Sequence, residues 1–197
     1  MTKIFFDTEF MEDGKVILPL SLGFVAETGR RLYLEIADAD LTRANPWVQE
    51  NVLPHLAGRE IATEPDPAAR WGDNTLVSWC LTSRSAEVIE EWVQEVCPVD
   101  PEISPFPMPE FWADYGSYDW ILLCQLFGPM IERPVGWPMF VRDIQQLREM
   151  TGYTEALPEP AGQAHNALDD ALNVQERYEI LTATHARNMI REGRQRG

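Results

Sequence analysis

Hydrophobic and polar positions along the chain fall into blocks of different period. Residues 3–8, containing Ile4-Phe5-Phe6, are rich in β-formers and read as a short strand. Residues 15–26 form a longer apolar run that reads as a second strand, with Pro19 and Gly23 suggesting an edge or a bulge. Thr28-Gly29 is a turn signal, and residues 31–36 complete a hairpin. Asn45 before Pro46 marks the start of a helix to about residue 53. Residues 54–75 carry three prolines and no clear period, so they read as loop with at most one short element. Helical spacing returns at 84–96, with Ser83 or Ser85 as cap. Five prolines make 98–109 extended. A strand at 110–114, a helix at 117–127 capped by Ser117, a strand near 138–142 and a helix near 143–151 follow. A long helix is expected from about residue 164 to 184, and the tail from 187 is polar, basic and expected to fray. Strands first, then strands interleaved with helices, predict an α/β chain with a mixed sheet flanked by helices. One domain over residues 1–186 with a tail at 187–197 accounts for the length.

Composition narrows this little until charge is counted. There is no apolar run of 18 residues and no signal-peptide layout, so no membrane span is expected. Three cysteines without CxxC spacing argue against a disulfide framework or a zinc knuckle and fit a reducing cytoplasm. The formal charge of −16 argues against a broad phosphate-tracking surface. It is compatible with a site that grips a few terminal nucleotides through metal ions.

Three acidic signals carry the chemistry. In Asp7-Thr8-Glu9 two carboxylates two residues apart share one face of a strand. Alone, this pattern more often marks a solvated strand end. Asp119 falls in the first turn of its helix on a stripe with Leu122, Leu123 and Leu126, an unusual place for a carboxylate unless it serves the helix dipole. Asp170 shares the stripe of Ala167, Ala171, Val174, Tyr178 and Leu181 on the last helix, Asp169 is rotated off it, and His165 sits at the helix start. Converging carboxylates repel unless a cation compensates them, and hard oxygen donors select Mg²⁺ or Mn²⁺.

Taken in order, a DxE pair, a helix-start Asp and HxxxxD opening the last helix resemble the pattern of DEDDh exonucleases along nearly the whole chain. FFDTEF is similar to that family's first motif and HNALDDA to its third. The strings around Asp7, Val52-Leu-Pro and residues 113–130 resemble the mycobacterial polyadenylate-specific 3′-exoribonuclease family; residues 54–110 are not mapped. The resemblance implies a ribonuclease H-like fold and a homodimer. It implies two Mg²⁺ ions, replaceable by Mn²⁺, on Asp7, Glu9, Asp119 and Asp170, with His165 as general base. It further implies attack on the 3′ end of single-stranded, adenylate-rich RNA with release of nucleoside 5′-monophosphates. Phe10, Met11, Trp112 and Tyr115 are candidates for base stacking, and Asp143 reads as a helix cap. The rival readings are a proofreading exodeoxyribonuclease with the same site, a binding module without catalysis, and a metal-binding structural domain.

Overall fold

The computed structural model describes residues 1–56, 66–71, 74–162 and 164–195. Strands β1 (Thr2–Glu12), β2 (Ile17–Ala26) and β3 (Arg31–Ile36) open the chain. Helix α1 (Pro46–Asn51) follows, then β4 (Asp66–Trp71), β5 (Thr75–Cys80) and α2 (Thr82–Val96). The second half is β6 (Pro109–Ala113), α3 (Ser117–Leu126), β7 (Arg142–Asp143), α4 (Ile144–Thr151) and α5 (Ala167–Gln195). The strands form one mixed sheet in the order β4-β5-β3-β2-β1-β6-β7. β1 pairs antiparallel with β2 and parallel with β6, which places it in the interior of the sheet. This α/β architecture, a mixed sheet with helices on its faces, fits the expected ribonuclease H-like fold.

Alternation along β1 divides the core. Ile4 and Phe6 face a cluster built with Leu22, Phe24, Phe111 and residues of α2 and α3. Phe5 faces the other way, into a cluster with Val25, Trp112, Ile144 and the α5 residues Ala171, Val174 and Leu181. At about 25 cal/mol per Å² of apolar surface, each such fully buried Phe contributes on the order of 2 kcal/mol. The same alternation aims Asp7 toward α5 and Thr8 toward α3.

Several expectations change. β1 runs on to Glu12, because its pairing with β2 continues through a bulge between Glu9 and Phe10 opposite Pro19. Gly23 is neither an edge nor a bulge. It pairs with Asp7 in the interior of the sheet, and a Cβ there would lie 2.2 Å from the Ala167 carbonyl oxygen and 2.4 Å from Leu168 N. Glycine at this position lets the first turn of α5 rest on the sheet. Residues 66–71, within the stretch expected as loop, pair antiparallel with 75–80, which carried no expectation beyond Thr75, and β5 pairs in turn with β3. Proline content hid the 66–71 strand, since Pro67 sits on the sheet's outermost strand, where a missing N–H is tolerated.

Caps differ as well. Ser85 is buried with its hydroxyl bonded to the Thr82 carbonyl, and Asp38 takes up the Thr82 N–H instead (2.8 Å). Gly116 and not Ser117 precedes α3. The strand expected near 138–142 is the two-residue β7. α5 begins at Ala167 and continues to Gln195, so the expected fraying from 187 is replaced by helix. No proline interrupts that segment. Asn45 and Asp143 do cap α1 and α4, accepting from Val48 N (2.9 Å) and Gln145 N (2.7 Å).

Candidate active site

The site lies where β6 leaves β1. Their pairing ends at Phe5–Trp112, so the stretch of β1 beyond it is open on that side. Asp119, in the first turn of α3, fills the opening. Its Oδ1 accepts from both Thr8 N (3.0 Å) and Thr8 Oγ1 (2.7 Å). One carboxylate oxygen is thereby pinned to β1 between the two acids of the DxE pair.

α5 brings the fourth acid across the other face. Carboxylate oxygens of Asp7, Glu9 and Asp170 all lie within 4.8 Å of one another. Asn166 caps the helix, its Oδ1 accepting from Leu168 N (3.1 Å) and Asp169 N (3.3 Å), while its Nδ2 donates to the His55 carbonyl (3.3 Å). His165 precedes this cap with φ +64°, a left-handed conformation that histidine adopts more readily than bulkier residues. In that conformation its backbone N–H donates to Asp170 Oδ2 (2.9 Å). Its imidazole stands edge-on to Trp47 of α1, with ring centroids 5.0 Å apart. Asp169 packs on the loop before the helix. A Cβ on Gly162 would lie 2.3 Å from its carboxylate, so glycine is what lets that loop close over it.

Electrostatics confirm the crowding of like charges. Burial, then Asp119, Glu9 and Asp170, push the Asp7 carboxyl well above the usual range. Burial, then Asp170 and Asp119, raise Glu9 to about 8. Burial also raises Asp119 and Asp170, against hydrogen bonds from Thr8 and from the His165 backbone respectively. Among the described residues no lysine or arginine is ion-paired with any of the four. Uncompensated buried carboxylates are unfavourable, and a small hard cation is the partner that an all-oxygen donor set fits. Asp7, Glu9 and Asp170 are close enough to share one ion; Asp119 is outside that trio, but its charge acts on both Asp7 and Glu9.

Of the four expected base contacts the structure leaves two accessible. Tyr115 is 74% exposed, at φ +54° on the turn from β6 into α3. Phe10 is half-buried and stacks at 5.9 Å on the exposed Tyr118 ring, with only 7° between planes. Met11 is 2% exposed and packs with Leu20, Ala44, Val48 and Val52, so it offers no surface to a nucleotide. Trp112 is also buried, beneath Tyr178 (4.7 Å) and Arg142 (5.8 Å), with its Nε1 bonded to Glu110 (2.7 Å). Both belong to the core. Sequence reasoning missed Trp47, and it reached Tyr118 only as a substitute base, not as the ring stacked on Phe10. Trp47 meets His165 only through the fold, so no local spacing marks it.

The sheet and its convergent acids define a class, that of the ribonuclease H-like nucleases. The family model described as the Rv2179c-like 3′–5′ exoribonuclease domain matches residues 2–181, and the chain belongs to that family. The 3′–5′ exoribonuclease Rv2179c of Mycobacterium tuberculosis (strain ATCC 25618 / H37Rv) is 37% identical over 182 residues, which is 92% of this chain and 94% of the relative. The 3′–5′ exoribonuclease MT2234.1 of M. tuberculosis (strain CDC 1551 / Oshkosh) is similar to the same extent.

Proposed function

We propose that this chain is a divalent-cation-dependent 3′–5′ exoribonuclease that removes nucleoside 5′-monophosphates from the 3′ end of single-stranded RNA. The observation that carries the reading is the convergence of Asp7, Glu9 and Asp170 within 4.8 Å, in a chain that belongs to an exoribonuclease family. Asp7, Glu9, Asp119 and Asp170 would hold the cations, two Mg²⁺ or Mn²⁺ in our reading. When bound, such ions neutralise charge at the scissile phosphate and make water more acidic.

The protein supplies the rest. Thr8 fixes the Asp119 carboxylate and the His165 N–H fixes that of Asp170. His165 takes the proton from the attacking water, so that the oxygen attacks phosphorus as the bond to the departing ribose 3′-oxygen breaks. Its edge contact with Trp47 limits how the ring turns. Phe10, Tyr115 and Tyr118 offer apolar faces for unstacked bases, which favours a single strand over a duplex. With few basic residues in a chain of charge −16, grip on the RNA rests on the cations and these rings.

Preference for adenylate-rich RNA and a homodimeric state are part of the proposal, as they are properties of the family that the sequence motifs resemble. The free thiols of Cys80, Cys97 and Cys124 support residence in the cytoplasm. No helix of the described residues is long and apolar enough to cross a membrane. The test is digestion of matched homopolymers of RNA and DNA with Mg²⁺, with Mn²⁺ and with chelator. Faster loss of polyadenylate RNA than of other RNAs or of DNA is expected. Equal or faster digestion of DNA would favour the proofreading reading, and no digestion of any polymer would favour a binding module.

A further inference from the structure

Arg177 lies on α5, seven residues and two turns after Asp170 and on the same face. Its side chain is only 16% exposed. A guanidinium at that depth needs partners, and it has them on two separate pieces of chain. Nη1 pairs with Asp114 Oδ2 at the end of β6, and Nε donates to the Pro158 carbonyl (3.0 Å) in the loop that leads to His165. Asn173 Nδ2 donates to the same carbonyl (3.1 Å), and Glu159 stands 3.8 Å from Nη2. Asp114 is held on its other side, where Oδ1 accepts from Gln145 Nε2 of α4 (2.7 Å). Asp143, which caps α4, closes the same corner by accepting from Gly116 N (2.9 Å).

The elements tied in this way are those that carry the site. Asp114 is five residues before Asp119, Pro158 seven before His165, and Arg177 seven after Asp170. We infer that Arg177, braced by Asp114, is a positioning residue that sets the separation of Asp170 and His165 from Asp119. The inference rests on the exoribonuclease reading above. Arg177 touches neither RNA nor cation; it acts through the loop and helix that it clamps. Lysine is no substitute, since one ammonium on a flexible stem cannot hold both Asp114 and the Pro158 carbonyl in the planar geometry of a fork.

The test compares wild type with Arg177→Lys, Arg177→Gln and the paired variant Arg177→Gln/Asp114→Asn. Four quantities are measured well below each melting temperature: single-turnover rate at saturating RNA, KM, calorimetric affinity for Mn²⁺ without RNA, and the melting temperature itself. Supports of metal ligands typically contribute 10–100-fold to metal affinity or activity. Arg177→Lys and Arg177→Gln are therefore expected to slow the saturating rate by about tenfold or more and weaken Mn²⁺ binding comparably, with KM little changed. The paired variant should recover part of both losses relative to Arg177→Gln, because no charge is left unpaired. A lowered melting temperature with rate and Mn²⁺ affinity intact would overturn the inference, and so would a loss confined to KM. A wild type that binds Mn²⁺ yet degrades no RNA would overturn the exoribonuclease reading instead, and the Mn²⁺ titrations would still judge the clamp.

Discussion

Replacing Glu9 by Gln tests the electrostatic description of the site without reference to turnover. The Glu9 carboxyl is raised from 4.5 to about 8 by burial and by Asp170 and Asp119. Between those values the unfolded chain gives up this proton and the folded chain keeps it. The folded state binds more protons, so the Glu9 contribution to metal-free stability falls as pH rises through that window and levels off above about 8. At about 1.4 kcal/mol per pH unit, the window corresponds to an upper limit of about 5 kcal/mol, a large share of the 5–15 kcal/mol that holds an ordinary domain together. Ionisation is also relieved by water entry and side-chain movement, so about 2–4 kcal/mol is the expected effect. Glutamine has nearly the same volume and cannot ionise. In urea unfolding with chelator, Glu9→Gln and wild type should match within about 1 kcal/mol at pH 5, and Glu9→Gln should be the more stable by about 2–4 kcal/mol at pH 8. Saturating Mn²⁺ should narrow or reverse the gap, because the cation stabilises the ionised wild-type site. A gap that does not change with pH, or a wild type that is the more stable at pH 8 in chelator, would refute the reasoning.

Two further expectations follow from particular contacts. Gly23→Ala places a methyl 2.2 Å from the Ala167 carbonyl oxygen and should displace the start of α5; a stability loss of about 3 kcal/mol or more, with weaker Mn²⁺ binding, would be read from urea melts and calorimetry. His165→Ala should lower the single-turnover rate by about 10²-fold or more and spare Mn²⁺ affinity, while exposed His185 on α5 tolerates the same change; equal rates for the two variants would remove His165 from the proton transfer.

The residues show why some of this was legible in sequence. Periodicity put Asp119 and Asp170 on apolar stripes and Asp7 and Glu9 on one strand face, but their reading as one set came from the resemblance of the ordered motifs; the structure brings Asp7, Glu9 and Asp170 together. Support for the site breaks no pattern. Asp114 reads as the polar end of a strand and Arg177 as an ordinary helix cation, although its spacing of seven from Asp170 puts it on the same buried face. Their pairing joins positions 63 residues apart, which local spacing does not reveal. Gly23 was misread for a similar reason, since what demands glycine there is the backbone at Ala167, far along the chain. The strand at 66–71 escaped because edge strands tolerate the proline and polar residues that also mark loops. Met11 and Trp112 neighbour the site in sequence, but their strands turn Met11 into the cluster with Leu20 and Val48 and Trp112 into the one with Phe5 and Val174.

The most direct test of the central claim is a time course on single-stranded RNA carrying a 5′ label, with product identification by mass. Wild type in Mg²⁺ or Mn²⁺ is expected to shorten the labelled strand stepwise from its 3′ end and to release nucleoside 5′-monophosphates. Chelator should stop it. Asp170→Ala should be inactive, and Asp169→Ala, whose carboxylate packs on Gly162 and not in the three-acid cluster, should keep most of the rate. Internal fragments, early release of the 5′-labelled nucleotide, persistence in chelator, or an active Asp170→Ala beside an inactive Asp169→Ala would contradict the account.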